Sequence, residues 1–395
     1  MARRAIVVWL SVCAAAIAGC GTMHPKGQAQ VQATAAVVAG PGQTLSAAAV
    51  PWHLVGPGWV LAQDFAAPVN SARVPSGSMI LYLVDPGGGR YRLFSWPAKG
   101  PAPYGELTDW SGDTQRALFA SLPTEKHPRQ RVEQLNLRTG KFTGFTLPGN
   151  SLALGYTRPD GKQILVEGKI DTSVTSKQTL VRYSLSGRPQ TTLWRAPGLD
   201  TFVAYSPDGT DLVTDSYGSL ALISNAGGLI RHLYSPALCG AVRWWNSTTI
   251  LASCAVANSD ASRMWLIPVS GAQGRALTPP RSGRGADQGD DNLYRLSSGT
   301  YLDALGRHCG NSIVVRQEPH GKVTAYSIPA DGEATIVTAT ASRLLLQEDP
   351  GCSSPFPASL AWYNPVTGKQ TVAVRVARKD AGVLAVIPYY QEGQR

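Results

Sequence analysis

The chain is predicted to be all-β, a ring of seven four-stranded antiparallel blades, or β-propeller. Three observations predict it. Pairs of alternating apolar runs recur along most of the 395 residues. Glycine-centred turns return every ~40 to 53 residues, the length of one blade. A second kind of turn, Pro-Asp-Gly in two units and a worn version of it in the others, falls between the other two runs of each unit.

The glycine-centred hairpins are the plainest. They read "MILYLVDPGGGRYRLFSWP", "RVEQLNLRTGKFTGFTLP", "TLVRYSLSGRPQTTLWRAP", "SLALISNAGGLIRHLYSP", "RMWLIPVSGAQGRALTPP", "SIVVRQEPHGKVTAYSIP" and "SLAWYNPVTGKQTVAVRVA". Their turns centre on Gly87, Gly140, Gly187, Gly227, Gly271, Gly321 and Gly368, because a short hairpin turn needs positive φ. The other hairpin of each unit reads "LTDWSGDTQRALFAS", "YTRPDGKQILVEG", "YSPDGTDLVTDSYG", "WWNSTTILASC", "RLSSGTYLDALG" and "TATASRLLLQED", with "WHLVGPGWVLAQDF" opening the first unit. Proline fixes φ, aspartate caps the turn through the backbone and glycine takes the left-handed position. Asp160 and Asp208 are therefore corner residues rather than catalytic acids, since other units carry Gly or Ser there. Seven units fit seven blades, with six and eight as the neighbouring counts, and "GVLAVIPYY" is expected to help close the ring.

These hairpins, above all "YSPDGTDLVTDSYGSLALISNAGG", resemble those of TolB-like and WD-repeat-like β-propellers, from about Trp52 to Ala377. The resemblance implies blade architecture. TolB carries an additional N-terminal α/β domain; a different segment is read at that end here.

That segment, "MARRAIVVWLSVCAAAIAGCGTMHPKG", has two arginines, a short apolar stretch and small residues before a cysteine, the pattern of an export signal. "IAGC" resembles the bacterial lipobox, which makes Cys20 the lipidation site and residues 1–19 the removed signal. Acyl chains contribute ~0.8 kcal/mol per buried methylene, so two or three anchor a protein without spanning the bilayer. Residues 20–50, rich in Ala, Gln, Gly and Thr, are expected to be a flexible tether, and 51–390 the propeller. The expected location is the extracytoplasmic side of a cell membrane.

Of the six cysteines, Cys13 leaves with the signal and Cys20 carries lipid, leaving Cys239, Cys254, Cys309 and Cys352. An even set in an exported protein indicates two disulfides. Cys239 and Cys254 are equidistant from the turn at Asn246 to Thr248, which sets them opposite each other on paired strands. Cys309 and Cys352 fall in the between-hairpin connections of adjacent blades, so 239–254 with 309–352 is the preferred pairing of three.

The formal charge of +10 falls to about +8 once Arg3 and Arg4 are removed. A basic exported protein suits anionic lipid or envelope polymers; no basic helix or aromatic-basic run supports nucleic acid. The between-hairpin connections are long and are the expected binding face. They carry Lys126, His127, Arg129, Arg131, Arg281, Arg284 and Arg307, a surface for phosphate or carboxylate polymers. Asp287, Asp290 and Asp291 offer oxygen ligands, but their spacing does not match a calcium loop, and neither a metal nor a cofactor is expected. No nucleophile elbow, zinc helix or phosphate loop is present, so no catalytic residue is assigned. The reading is a membrane-anchored module that binds a protein or envelope component, more binder than enzyme. Its rival is a propeller hydrolase or lyase acting on sugar or peptide in the central channel. Replacing Cys20 with Ser is expected to move the protein from the membrane to the soluble fraction; retention at the membrane after fractionation would contradict the anchor.

Overall fold

The computed structural model describes residues 38–66, 78–97, 105–111, 115–121, 123, 128–169, 177–197, 199–216, 219–257, 261–279, 289–305, 312–317, 323–325, 333–349, 359–376 and 382–389. They form seven blades. Blade 1 contains β1 (Thr44–Ser46), β2 (Val60–Ala66), β3 (Met79–Val84) and β4 (Arg90–Trp96), and blade 2 contains β5 (Glu106–Trp110), β6 (Arg116–Ala120), β7 (Arg131–Asn136) and β8 (Phe142–Thr146). Blade 3 is β9 (Leu152–Tyr156), β10 (Gln163–Lys169), β11 (Lys177–Ser184) and β12 (Pro189–Pro197). Blade 4 is β13 (Leu199–Tyr205), β14 (Asp211–Ser216), β15 (Ser219–Ser224) and β16 (Leu229–His232). Blade 5 is β17 (Cys239–Asn246), β18 (Thr249–Ala255), β19 (Ser262–Pro268) and β20 (Arg275–Ala276). Blade 6 is β21 (Gly289–Leu296), β22 (Gly299–Leu305), β23 (Ser312–Gln317) and β24 (Val323–Ala325). Blade 7 is β25 (Glu333–Ala339), β26 (Leu344–Asp349), β27 (Ser359–Asn364) and β28 (Lys369–Arg375).

The last strand, β29 (Gly382–Pro388), closes the ring. It pairs antiparallel with β2 from Val60↔Pro388 to Ala66↔Gly382 and so becomes the innermost strand of blade 1. This corrects the reading of "WHLVGPGWVLAQDF" as a hairpin: Trp52–Leu54 form a turn, and only the Val60 end of that run enters the sheet. β1 adds to the outer edge of β4 in parallel, Thr44↔Arg90 to Ser46↔Arg92, within the stretch read as a tether.

Alternation in the strands turns opposite faces of each sheet toward opposite neighbours. In β2, Leu61 packs with Leu107, Trp110 and Phe119 of blade 2, whereas Val60 and Ala62 pack with Leu345, Leu360 and Trp362 of blade 7. A fully buried Val or Leu contributes about 1.5–3 kcal/mol relative to exposure. The core is therefore a set of clusters between blades, closed into a circle by Leu384 of β29 in the cluster shared with blade 7.

The Pro-Asp-Gly turn is a corner. Asp208 Oδ1 accepts hydrogen bonds from Ser206 Oγ at 2.6 Å and from Thr210 N and Oγ1 at 3.0 and 2.9 Å, while Gly209 holds φ +72°. The Ser206 hydrogen bond first, then the Thr210 amide, holds the Asp208 carboxyl below its ordinary pKa. Asp160 Oδ1 likewise accepts a hydrogen bond from the Lys162 amide at 3.1 Å. In blade 1 the left-handed glycine is Gly88, not Gly87.

Cys239 and Cys254 face each other across β17 and β18, with Cα atoms 4.0 Å apart, and form a disulfide. Cys309 and Cys352 lie outside the described residues, as do Cys20 and the chain before Val38. The loop between Cys239 and Cys254 spans 15 positions. The double variant Cys239→Ala/Cys254→Ala is expected to lose about 3 kcal/mol, read as a lowered urea midpoint; an unchanged midpoint would contradict a stabilising bridge.

Candidate functional site

The seven innermost strands are β29, β5, β9, β13, β17, β21 and β25, and apart from one parallel bridge between Ser262 of β19 and Gly289 of β21 their inner edges have no neighbouring strand among the described residues. Unpaired backbone groups on such an edge need other partners. Side chains of adjacent blades supply them. Gln63 Oε1 accepts from Leu107 N at 2.6 Å, Gln130 Oε1 from Ala153 N at 2.6 Å, and Asp303 Oδ1 from Ile336 N at 2.8 Å. Donors do the converse: Trp244 Nε1 to Ala204 O at 3.0 Å, Tyr294 OH to Ile336 O at 3.1 Å and Gln347 Nε2 to Leu384 O at 3.1 Å.

These strands enclose a central cavity of about 390 Å³ to which all seven contribute. Its wall is drawn from the middle and last residues of the strands: Thr108, Asp109, Tyr156, Tyr205, Arg243, Trp244, Asn292, Tyr294 and Thr338, with Tyr389 just past β29. The cavity therefore lies toward the short turns inside the first hairpins, not toward the long connections. Most of the wall is apolar or aromatic, and Tyr389 meets Trp110 edge-on at 5.3 Å between centroids.

Two charged arrangements break that surface. Asp109 Oδ1 pairs with Arg158 Nη2 at 2.7 Å, with side chains only 14% and 7% exposed, and Asp109 Oδ2 accepts from Tyr156 N at 2.6 Å. Gly155 permits this approach, since a Cβ there would stand 2.7 Å from Asp109 Oδ2. Across the strands, Arg243 Nη2 donates to Leu293 O, and its guanidinium carbon lies 4.9 Å from the Tyr294 ring centroid and 5.2 Å from that of Trp245. Burial pushes the Arg243 guanidinium down from its ordinary pKa, countered by Tyr294. Burial pushes the Tyr294 phenol above the usual tyrosine range, countered by the Arg243 charge.

None of the residues picked from sequence is in the described wall of the cavity. Arg129 and Arg131 are exposed, and Arg131 is held by Glu133 at 2.8 Å. Lys126, His127, Arg281, Arg284, Arg307 and Asp287 lie outside the described residues, as does the Asp291 side chain. Asp290, read as part of a loop, is instead fully buried in β21, where its carbonyl accepts from Ser253 and Ser262 hydroxyls at 2.9 and 3.1 Å. Sequence reading missed Asp109, Arg158 and Arg243. The signal was there in "ELTDW" and "CGAVRWWN", where a charge interrupts an innermost-strand run.

No family model and no curated protein matches the chain. Among solved structures it is similar to a prolyl endopeptidase, with TM-score 0.54 and 15% identity over 84% of this chain and 51% of that one. It is also similar to the β-propeller domain of the Trilobed protease from Pyrococcus furiosus, with TM-score 0.48 and 13% identity over 80% and 94% of the two chains. A putative TolB from Agrobacterium tumefaciens gives TM-score 0.40 and 12% identity over 84% and 98%. The chain spans about half the length of the prolyl endopeptidase. At 15% identity the likeness to the prolyl endopeptidase shows the fold alone.

Breaking a buried ion pair on one side costs about 3–5 kcal/mol, because the other charge is stranded. Asp109→Asn should destabilise by that order, and adding Arg158→Gln should recover part of it in a double-mutant cycle of unfolding midpoints. Additive losses would contradict the coupling.

Proposed function

We propose that this chain is a lipid-anchored, extracytoplasmic β-propeller that works by non-covalent binding, and that its ligand is a component of the envelope space taken up in the central channel. The observation that carries this reading is the cavity of about 390 Å³ to which all seven innermost strands contribute. Ligand pockets of roughly 300–1,000 Å³, mostly apolar with a few placed polar groups, have this character. Of the basic residues read on the long connections, Arg131 instead opens β7, where Glu133 holds it at 2.8 Å.

The rival, hydrolysis or elimination in the same channel, has one observation in its favour, the Asp109 carboxylate on the wall. Yet both Asp109 oxygens already accept, from Arg158 and from the Tyr156 amide, which ties the carboxylate to the wall and leaves only the remaining lone pair of each oxygen for a substrate. Arg243 and Tyr294, channel groups with shifted pKa values, both keep their protons at neutral pH.

Thr108 offers a way to close the cavity, since its hydroxyl only bonds back to Glu106 O at 3.1 Å on the exposed side. Full-length protein purified from its own membranes should retain a small molecule detectable by native mass spectrometry, and Thr108→Trp should lose it. Equal retention by both would contradict channel binding, and conversion of the retained compound on incubation would favour the enzyme.

A further inference from the structure

We propose that Arg243 anchors a monoanionic carboxylate with an apolar body in the central channel. The inference deepens the channel-binding reading and rests on it. Three charged side chains line the cavity: Asp109, Arg158 and Arg243. Asp109 and Arg158 neutralise one another at 2.7 Å, which leaves the Arg243 cation as the one uncompensated charge among the described lining residues.

The donors of Arg243 are also unmet. Of the five N–H bonds of a guanidinium, one on Nη2 serves the Leu293 carbonyl. Nε and Nη1 are shielded from solvent and meet no acceptor among the described residues. A buried charged donor without an acceptor is costly, and an incoming carboxylate relieves that cost with charge-assisted hydrogen bonds. Tyr294 and Trp245 hold the guanidinium at 4.9 and 5.2 Å from their ring centroids, so it is fixed in place before any ligand arrives.

Charge and surface narrow the ligand further. A phosphate dianion would need a second free cation, and Arg158 is already taken by Asp109. Leu154, Val242, Trp244, Ile387 and Tyr389 give the remaining wall an apolar and aromatic character that suits a hydrocarbon body. The volume, about 390 Å³, admits a small organic acid or the last residue or two of a peptide, and both present the same chemistry.

The test is a tryptophan-fluorescence titration of the full-length protein in non-ionic detergent, since Trp244 and Trp245 flank the anchor. The probes are phenylacetate, 4-phenylbutyrate and the peptide Ala-Ala-Phe, each against its neutral primary amide, with phenyl phosphate alongside. At least one acid should bind about tenfold or more tightly than its amide. Tighter binding of the small acids identifies a free acid as ligand, and tighter binding of the peptide identifies a chain end. Arg243→Gln should remove the preference for the acid and leave amide binding, while Arg243→Lys should keep part of it. Equal binding of acid and amide, no acid binding, tighter binding of phenyl phosphate, or an undiminished preference in Arg243→Gln would each overturn the proposal. Should Arg243→Gln fail to fold, the wild-type ratio of acid to amide and the Arg243→Lys variant decide. Amide binding that Thr108→Trp abolishes, without acid preference, would sink the anion site and leave channel binding standing. Acid binding that Thr108→Trp does not touch would sink both.

Discussion

An innermost propeller strand has one edge with no strand beside it, and the structure depends on how that edge is satisfied. Each unpaired amide or carbonyl there would otherwise face a partly dry channel. The solution is a polar side chain from an adjacent blade: Gln63 for Leu107, Gln130 for Ala153, Asp109 for Tyr156, Asp303 for Ile336 and Gln347 for Leu384. Such side chains sit among apolar neighbours, where a lost partner costs more than a hydrogen bond gains. The blades are thereby fixed in order and spacing around the ring, and the channel is shaped before anything enters it.

Two members of that network also set the chemistry of the channel. Asp109 supports the β9 edge and its charge is closed by Arg158. Arg243 supports the β21 edge through Leu293 O, but among the described residues its charge is answered by aromatic faces. The same kind of structural contact thus leaves one site neutral and the other cationic. A structural contact and spare donors meet in one residue, because a guanidinium has more donors than a single carbonyl can use.

The architecture was legible because period and turn chemistry repeat. "YSPDGTDLV" announces a corner, and Asp208 does cap one. The Cys239–Cys254 pair was legible by counting from Asn246 to Thr248, since register in a hairpin follows from its turn. Ring closure was only half legible. "GVLAVIPYY" reads as a strand, but its pairing with β2 spans nearly the whole chain and leaves no local mark. The turn glycine slipped by one position, from Gly87 to Gly88, because the run of three glycines leaves the choice to Asp85, whose Oδ1 takes the amides of Gly87 and Gly89. The channel was the least legible part. Its wall is assembled from one or a few residues of each innermost strand, and sequence distance hides that convergence: Asp109 and Arg158 stand 49 positions apart. Loop length drew attention to the long connections, whereas the cavity lies toward the short turns.

The measurement that tests the account most directly is native-state hydrogen exchange at four inner-strand amides, those of Leu107, Ala153, Tyr156 and Ile336. Each donates to a side chain of an adjacent blade rather than to a strand. The account predicts that all four exchange only through global unfolding, like the buried ladder amides of the blades, and that Asp109→Asn releases Tyr156 first. Exchange of these amides at the rate of exposed turns, with the ladders still protected, would mean that the inner edge is not held and that the channel is not a preformed site.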